Sequence, residues 1–325
     1  MNVKNTLISR LAQARGEFIS GAELSRQLNV SRNAVWKAVK ALEAEGYAIE
    51  SVTSKGYRLS EQNARLSAEI ISAENTAKTL GGSIIVLPET SSTNTYAKAL
   101  AADGAAHGTV VAADTQTEGK GRLGRHFESP SGKGLYMSVI IRPKFDISYA
   151  PLITSAAAVS AAEAVEKLCG CDVSIKWVND LYMNGRKICG ILTEASLDLE
   201  LNMPDYAVIG IGINVLHTEF PDELKQRATT VEDESGRQID RNRLCGEVLG
   251  RLEHYLDAIE ARGHLEEYRR REMLTGNMIT ANIGSETIVG RAVGIDDNAN
   301  LIIELDGGTR RNLVSGEADL CRIKK

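Results

Sequence analysis

Seven residues, Gly119-Lys120-Gly121-Arg122-Leu123-Gly124-Arg125, put three glycines and three cations directly after Thr109 to Ala113, an apolar run that reads as a strand. Glycine admits positive φ and lets the backbone approach a ligand closely, while Lys120, Arg122 and Arg125 bring positive charge to that approach. The chemistry this suits is the binding of an anion. The same letters satisfy Gly-x-Gly-x-x-Gly, but a dinucleotide fold needs a helix opening inside the motif and an acidic residue about 20 positions further on. Here the helix-hostile Glu128-Ser129-Pro130-Ser131-Gly132 follows, and Val139-Ile140-Ile141 with Arg142-Pro143 stands where the acid belongs. On composition, a solvated basic loop and a ligand loop fit equally well.

More polar groups fall at the ends of the neighbouring elements. Ser91-Ser92-Thr93-Asn94 follows an apolar strand at Ser83 to Leu87 and opens a helix with Tyr96 to Leu100; such a cluster is more often an N-cap than a ligand site. Gln116 lies between the second strand and the glycine loop. Lys176-Trp177-Val178-Asn179-Asp180 precedes a hairpin signalled by Asn184-Gly185, which separates Leu181-Tyr182-Met183 from Lys187-Ile188-Cys189. A strand lysine such as Lys187 is commonly a surface cation. Gly210-Ile211-Gly212-Ile213-Asn214 is a strand with two glycines, which mark a place where something lies against the backbone.

The elements that must position these groups alternate. Strands are expected at Leu135 to Ile141, near Val173 to Trp177 and at Tyr206 to Val215, with an Ala-rich helix from Pro151 to Leu168. The pattern is a mixed α/β domain, and the hairpin argues for a mostly antiparallel sheet. Leu66 to Leu80 reads as a helical connector between Gln62-Asn63 and Gly81-Gly82, and Arg241 to Arg271 as largely helical. Beyond Gly276, short strands at Met278 to Ile283, Thr287 to Ile295, Leu301 to Leu305 and Thr309 to Leu313 read as a small SH3-like β-barrel. Arg310 and Arg311 there suit either a reach to a ligand or exposed strand charges.

The front of the chain differs in character. Residues 1–60 hold nine Lys or Arg against five Glu, a local +4 in a chain whose net charge is −5. Val3, Leu7, Ile8 and Leu11 recur at helical spacing until Gly16. A capping box at Ser20 and Glu23 opens a second helix, and Ser31 caps a third over Val35, Val39 and Leu42, closed by Gly46. With the alternating Tyr47 to Leu59, broken around Thr53 to Gly56, this is a winged helix-turn-helix. Its third helix leaves Arg32, Asn33, Lys37 and Lys40 off the apolar stripe, where a recognition helix makes phosphate and base contacts. Trp36 beside them suits DNA or a domain interface. The expected α+β multidomain chain therefore divides into residues 1–64, 65–270 and 271–325.

Five cysteines at 169, 171, 189, 245 and 321 show no metal-ligand spacing and read as free thiols in a reducing compartment. No apolar run reaches the roughly 18 residues that cross a bilayer, and no signal-peptide core opens the chain, so a cytoplasmic protein without membrane partners is expected.

In chain order, Ser92-Thr93-Asn94, Gln116 with Gly-Lys-Gly-Arg-x-Gly-Arg, Lys-Trp-x-Asn-Asp, Gly-Arg-Lys-x-x-Gly-Ile-Leu and Gly-Ile-Gly-Ile-Asn resemble the biotin protein ligases. With the winged helix in front, the chain is similar to the bifunctional subclass that also represses biotin genes. The resemblance implies that Ser92, Thr93 and Gln116 contact the biotin head group with Asn94 adjoining. It implies that Gly119, Lys120, Gly121 and Arg122 wrap the carboxylate and phosphate, and that Gly210 lies against the ligand. Lys187 and Arg122 would be catalytic, with Lys187 facing the reacting carboxyl and α-phosphate. A nucleotide side of Lys120, Arg122, Lys176, Asn179, Asp180 and Asn214 follows. The family commonly carries Arg where Lys120 stands, so the charge is kept and the planar fork is lost. Phe127 stands where some members have Trp and still offers a ring.

The implied substrates are biotin and ATP with Mg²⁺, the implied partners a biotin carboxyl carrier domain of a carboxylase, operator DNA and a second copy in a ligand-dependent homodimer. No protein-held metal site is expected. Mg²⁺ would arrive on phosphate oxygens, with Asp180 as an outer partner or merely a turn residue. The rivals are a lipoate-type ligase, whose Arg-Arg-x-Ser-Gly-Gly-Gly segment this sequence lacks, and a repressor that only senses biotin.

Overall fold

A computed structural model describes residues 3–60, 63–143, 149–198 and 203–321. Gln62 of the expected connector lies outside them. The N-terminal unit is three helices, α1 (Val3–Gln13), α2 (Gly21–Leu28) and α3 (Arg32–Ala44), followed by the hairpin β1 (Ile49–Val52) and β2 (Gly56–Leu59). Leu7, Leu11, Leu24, Val35, Val39 and Leu42 form its core. Ser20 and Ser31 cap α2 and α3, accepting from Glu23 N at 3.1 Å and Ala34 N at 3.2 Å. The capping box is half made: the Glu23 carboxylate turns out to Arg26 and Gln27 rather than back to the cap. Asn29 takes the left-handed conformation that makes the turn tight.

The connector is shorter than its periodicity suggests. Helix α4 spans Ala68–Glu74 and stops at Asn75. Beyond it, the Glu253 carboxylate accepts from the backbone N–H groups of Lys78, Thr79 and Leu80 at 2.6, 2.6 and 3.1 Å, replacing the partners a continued helix would supply.

The central sheet contains β3 (Ser83–Thr90), β4 (Thr109–Gln116), β5 (Gly134–Ile141), β6 (Ser174–Lys176), β7 (Asp180–Met183), β8 (Arg186–Asp198) and β9 (Met203–Asn214). Its order is β3-β4-β5-β9-β8-β7-β6, with β3–β4 parallel and the other described pairings antiparallel. The expected turn at Asn184-Gly185 is present, both residues having positive φ. One face packs on α6 (Ala150–Cys169) and α8 (Arg241–Asp257), and the other on α5 (Thr93–Ala102) through Ala97 and Ala101. Every residue of β5 is buried, which its unbroken apolar run foreshadows. The expected helix over Arg241 to Arg271 is interrupted: α8 ends at Asp257, and α9 resumes over Leu265–Arg271. The short α7 (Val231–Ser235) precedes them.

The C-terminal unit is an antiparallel sheet of β10 (Met278–Ile283), β11 (Glu286–Ile295), β12 (Leu301–Glu304), β13 (Arg310–Leu313) and β14 (Glu317–Leu320), ordered β13-β12-β11-β10-β14. Among the described residues β13 and β14 do not pair, so the sheet stays open where a closed barrel was expected. Trp177 Nε1 donates to Ala299 O at 3.0 Å and fastens this unit to the central sheet.

At the α8–α9 junction His264 is wholly buried, with Nε2 2.7 Å from Ser155 Oγ and no partner for Nδ1 among the described residues. Burial pushes its imidazole down from 6.5 to about 4. The unfolded chain therefore binds the extra proton between those values, and stability rises with pH across that window. At 1.36 kcal/mol per unit, this one group removes about 3 kcal/mol as pH falls from 7 to 4. His264→Phe is expected to lose less stability than the native chain over that range, measured by urea unfolding at each pH; parallel curves would contradict this.

Candidate active site

A cleft of about 1020 Å³ lies between the glycine loop, the central sheet and β14. Its floor is set by a direct cross-strand pair, Gly190 on β8 opposite Gly212 on β9. A Cβ on Gly212 would stand 2.7 Å from the Phe127 ring, and one on Gly190 would stand 3.4 Å from it and 3.3 Å from Lys187 Nζ. Two missing side chains thus admit an aromatic ring and an ammonium group. The ring also meets Tyr136 edge-on at 6.4 Å.

The polar end is built from Ser92, Thr93, Asn94 and Gln116. Ser92 occupies the N-cap position of α5, yet its side chain makes no capping bond and lines the cleft. Thr93 N and Oγ1 both donate to Gln116 Oε1, at 2.8 and 3.1 Å, and Gln116 Nε2 donates to Ser129 Oγ at 2.9 Å. Asn94 is committed to the protein: Nδ2 donates to Leu192 O and Glu194 Oε2, and Oδ1 accepts from Ser138 Oγ at 2.6 Å. Gly210 exists for Asn94, since a Cβ there would stand 2.1 Å from Asn94 Oδ1. Gly210 also lines the cleft.

The cations come from several elements and nearly all have partners. Lys187 Nζ is 2.7 Å from Asp180 Oδ1, Lys176 pairs with Asp319, and Arg125 pairs with Glu317. Arg122 donates to Asn179 Oδ1 at 3.2 Å, and Asn179 Nδ2 in turn donates to Ile191 O at 2.8 Å. Lys120 Nζ donates to Thr95 Oγ1 at 2.9 Å. Burial lowers the Lys176 ammonium, but the Asp319 hydrogen bond with the charges of Tyr182, Asp319 and Asp180 more than offsets this, so it stays protonated. Asp180 is no turn residue: it opens β7 opposite Gly190 and holds Lys187.

Most of the residues singled out for the cleft in the sequence meet here, and Gly119, Asn214, Arg310 and Arg311 do not. Gly119 is packed against the return arm of its own loop, where a Cβ would stand 2.2 Å from Phe127 O. Asn214 is buried at the end of β9 and donates to Thr229 O at 3.1 Å, away from the cleft wall. Arg310 and Arg311 pair with Glu304 and Glu286 on their own sheet.

Sequence reasoning missed Ser138, whose signal is a lone hydroxyl in the apolar run of β5. It also missed β14, whose Glu-Ala-Asp-Leu carries no strand signal. Apart from the cleft, Arg32, Asn33, Lys37 and Lys40 are exposed on α3 around Trp36, itself 49% exposed, and Lys40 pairs with Glu43 at 2.7 Å.

A helix-turn-helix module, an α/β domain with a cationic cleft and a small C-terminal sheet define a ligase-type chain with a DNA-binding front. Residues 86–214 match the Biotin/lipoate A/B protein ligase family, 3–58 an HTH domain, and 275–320 the Biotin protein ligase C terminal domain. The chain is 36% identical to the bifunctional ligase/repressor BirA of Bacillus subtilis (strain 168), over 95% of this chain and 96% of that one. It is 32% identical to the protein of the same name from Escherichia coli (strain K12), over 90% of each. A biotin protein ligase from Aquifex aeolicus, solved in complex with biotin and ATP, superposes with a TM-score of 0.64 at 31% identity, covering 74% of this chain and 99% of that one. The chain belongs to the biotin protein ligase family, in its bifunctional ligase/repressor branch.

Gly210→Ala and Asn94→Ala are each expected to destabilise the chain by about 1–3 kcal/mol, the first by a clash and the second by losing the hydrogen bonds that tie Asn94 to Ser138, Leu192 and Glu194. Their effects should not add, because removing the Asn94 amide makes room for the new methyl. Urea unfolding of the double variant decides, and a strictly additive loss would refute the packing described.

Proposed function

We propose that this chain is an ATP-dependent biotin protein ligase that also acts as a biotin-responsive transcriptional repressor. The observation that carries the enzymatic reading is the cleft in which Lys187, Arg122 and Lys176 stand around a floor of strand glycines and the Phe127 ring, in a member of this family. A carboxylate oxygen of biotin attacks the α-phosphorus of ATP, and the bond to pyrophosphate breaks as the mixed anhydride forms. A lysine amine of a carboxylase carrier domain then attacks the acyl carbon, AMP leaves, and the amine loses its proton. Charge grows on phosphoryl and then acyl oxygens, and fixed cations answer it without reorganising. In this assignment Lys187 and Arg122 meet the reacting carboxyl and α-phosphate. Lys176, Lys120, Asn179 and Asp180 serve the nucleotide side, and Ser92, Thr93 and Gln116 serve the biotin head group. Gly121 lines the cleft beside Arg122, where its backbone faces the ligand. Asn94 shapes that end of the cleft rather than touching the ligand. The Asp180 carboxylate is engaged by Lys187, so Mg²⁺ would be held chiefly by phosphate oxygens, offsetting their charge.

The remaining assignments go with this reading. The functional units are residues 1–64, 65–270 and 271–325. The last is an SH3-like barrel, a reading supported by the bulge between Ala292 and Gly294 that curls β11. Arg32, Asn33, Lys37 and Lys40 contact operator DNA, and bound adenylate favours a homodimer that places two recognition helices on two half-sites. A chain that uses ATP and binds DNA works in the cytoplasm.

Pyrophosphate release with ATP should require biotin and not proceed with lipoate, and Lys187→Met should lower it about 100-fold or more with circular dichroism unchanged. Release with lipoate alone would overturn the substrate, and normal rates in the variant would remove Lys187 from the chemistry.

A further inference from the structure

Arg241, at the first position of α8, is buried to 3% exposure and carries a charge beside the buried polar Asn63, Ser67 and Asn242. Its guanidinium joins three segments far apart in sequence. Nη1 donates to Gly134 O at 3.0 Å, at the start of β5, and Nη2 donates to Ala64 O at 2.6 Å, in the connector behind the winged helix. Nη2 also lies 2.9 Å from Asp114 Oδ1 on β4. Burying a cation is costly unless its partners are well placed, and a hydrophobic residue of like size would serve packing alone as well or better. The fork is therefore informative about what it joins.

On one side it holds the root of the glycine loop. Asp114 Oδ2 accepts from Ser131 Oγ at 3.0 Å, and Asp114 O accepts from Gly132 N at 3.1 Å. Tyr136, beside the same pair of charges, donates its hydroxyl to Pro130 O at 3.0 Å and meets the Phe127 ring edge-on. On the other side it holds the connector. Asn242, next in sequence, donates to Arg65 O at 2.9 Å and accepts from Ser67 N at 2.8 Å. Asn63 donates to Arg65 O at 3.1 Å and accepts from Ala48 N at 3.3 Å, just before β1. The Arg65 guanidinium reaches Glu45 O, at the end of the recognition helix, and lies 5.0 Å from the Tyr47 ring centre. Hydrogen bonds, linked through the chain at Arg241-Asn242 and Ala64-Arg65, thus lead from the arm of the loop that carries Phe127 to the C-terminal end of α3.

We infer that Arg241 is a positioning residue that relays the state of the glycine loop to the DNA-binding unit, with Asp114 and Ser131 as its contacts on the loop side. It touches neither the cleft nor DNA. The inference rests on the ligase/repressor reading for the ligand that sets the loop, and it locates where that ligand's effect leaves the site.

Hydrogen exchange of the full chain with and without biotin plus ATP tests it, alongside pyrophosphate release and gel shifts at fixed salt. In the native chain, ligand is expected to slow exchange both in the loop and at the amides of Ala48 and Ser67. In Arg241→Lys, Asp114→Asn and Ser131→Ala, adenylation should stay near native while the response at Ala48 and Ser67 is lost. The ligand-dependent gain in DNA affinity should then fall about fivefold or more, with dimerisation alone supplying what remains. Ser131 is exposed, so its variant folds even if burial makes Arg241→Lys unstable. A native chain that binds ligand without slowing exchange at Ala48 and Ser67, or variants that keep the native response, would overturn the relay and leave the ligase standing. A chain that binds no biotin would overturn the ligase reading and the relay with it.

Discussion

Like charges repel, and this chain crowds cations around one cleft. Two unit charges 5 Å apart near a protein surface cost about 3 kcal/mol, so the side chains would splay into solvent unless each were held. Three are held by a carboxylate on an element other than their own. Asp180 on β7 holds Lys187 on β8, Asp319 on β14 holds Lys176 on β6, and Glu317 on β14 holds Arg125 in the loop. The cations thus stand in place ahead of any substrate, and an incoming phosphate exchanges one anion for another instead of ordering a flexible side chain. That is the condition under which fixed charge accelerates a reaction.

The same arrangement explains why the C-terminal sheet belongs with the central domain. Its last strand supplies two of the carboxylates, and its Ala299 carbonyl receives the Trp177 indole. A small sheet that looks peripheral in the sequence therefore forms one wall of the cleft. The glycines of β8 and β9 do the complementary work. They clear space for Phe127, Lys187 and the Asn94 amide, so backbone and aromatic surface line the floor while charge stays at the sides.

Much of this was legible in the sequence because local rules act where the chain is regular. Ser31 and the Asn184-Gly185 turn did what their chemistry requires, and the 2.0 and 3.6 periods located most elements. The ordered motifs found the family because their polar residues stand at the ends of regular elements, where the sequence pattern exposes them. What escaped notice depends on partners distant in the chain. Nothing near Leu66 to Leu80 reveals that Glu253 will cap three amides and end a helix there. Glu317 to Leu320 becomes a strand only because β10 is available to pair with it. Asn214 sits in a ligand-like motif but turns to Thr229, a choice made by the fold behind it. Something does lie against the two strand glycines, but nothing near them reveals that it is the Asn94 amide and the Phe127 ring, both from distant segments.

The central claim is that the paired cations of the cleft hold a mixed anhydride of biotin and AMP. A crystal structure of the chain with biotinyl-5'-adenylate is the most direct measurement. The account predicts the phosphoryl group against Arg122 and Lys187, the biotin rings at the Ser92, Thr93 and Gln116 end, and Lys187 released from Asp180. Adenylate bound elsewhere, or in the cleft with Lys187 still paired to Asp180 and turned from the phosphate, would contradict it.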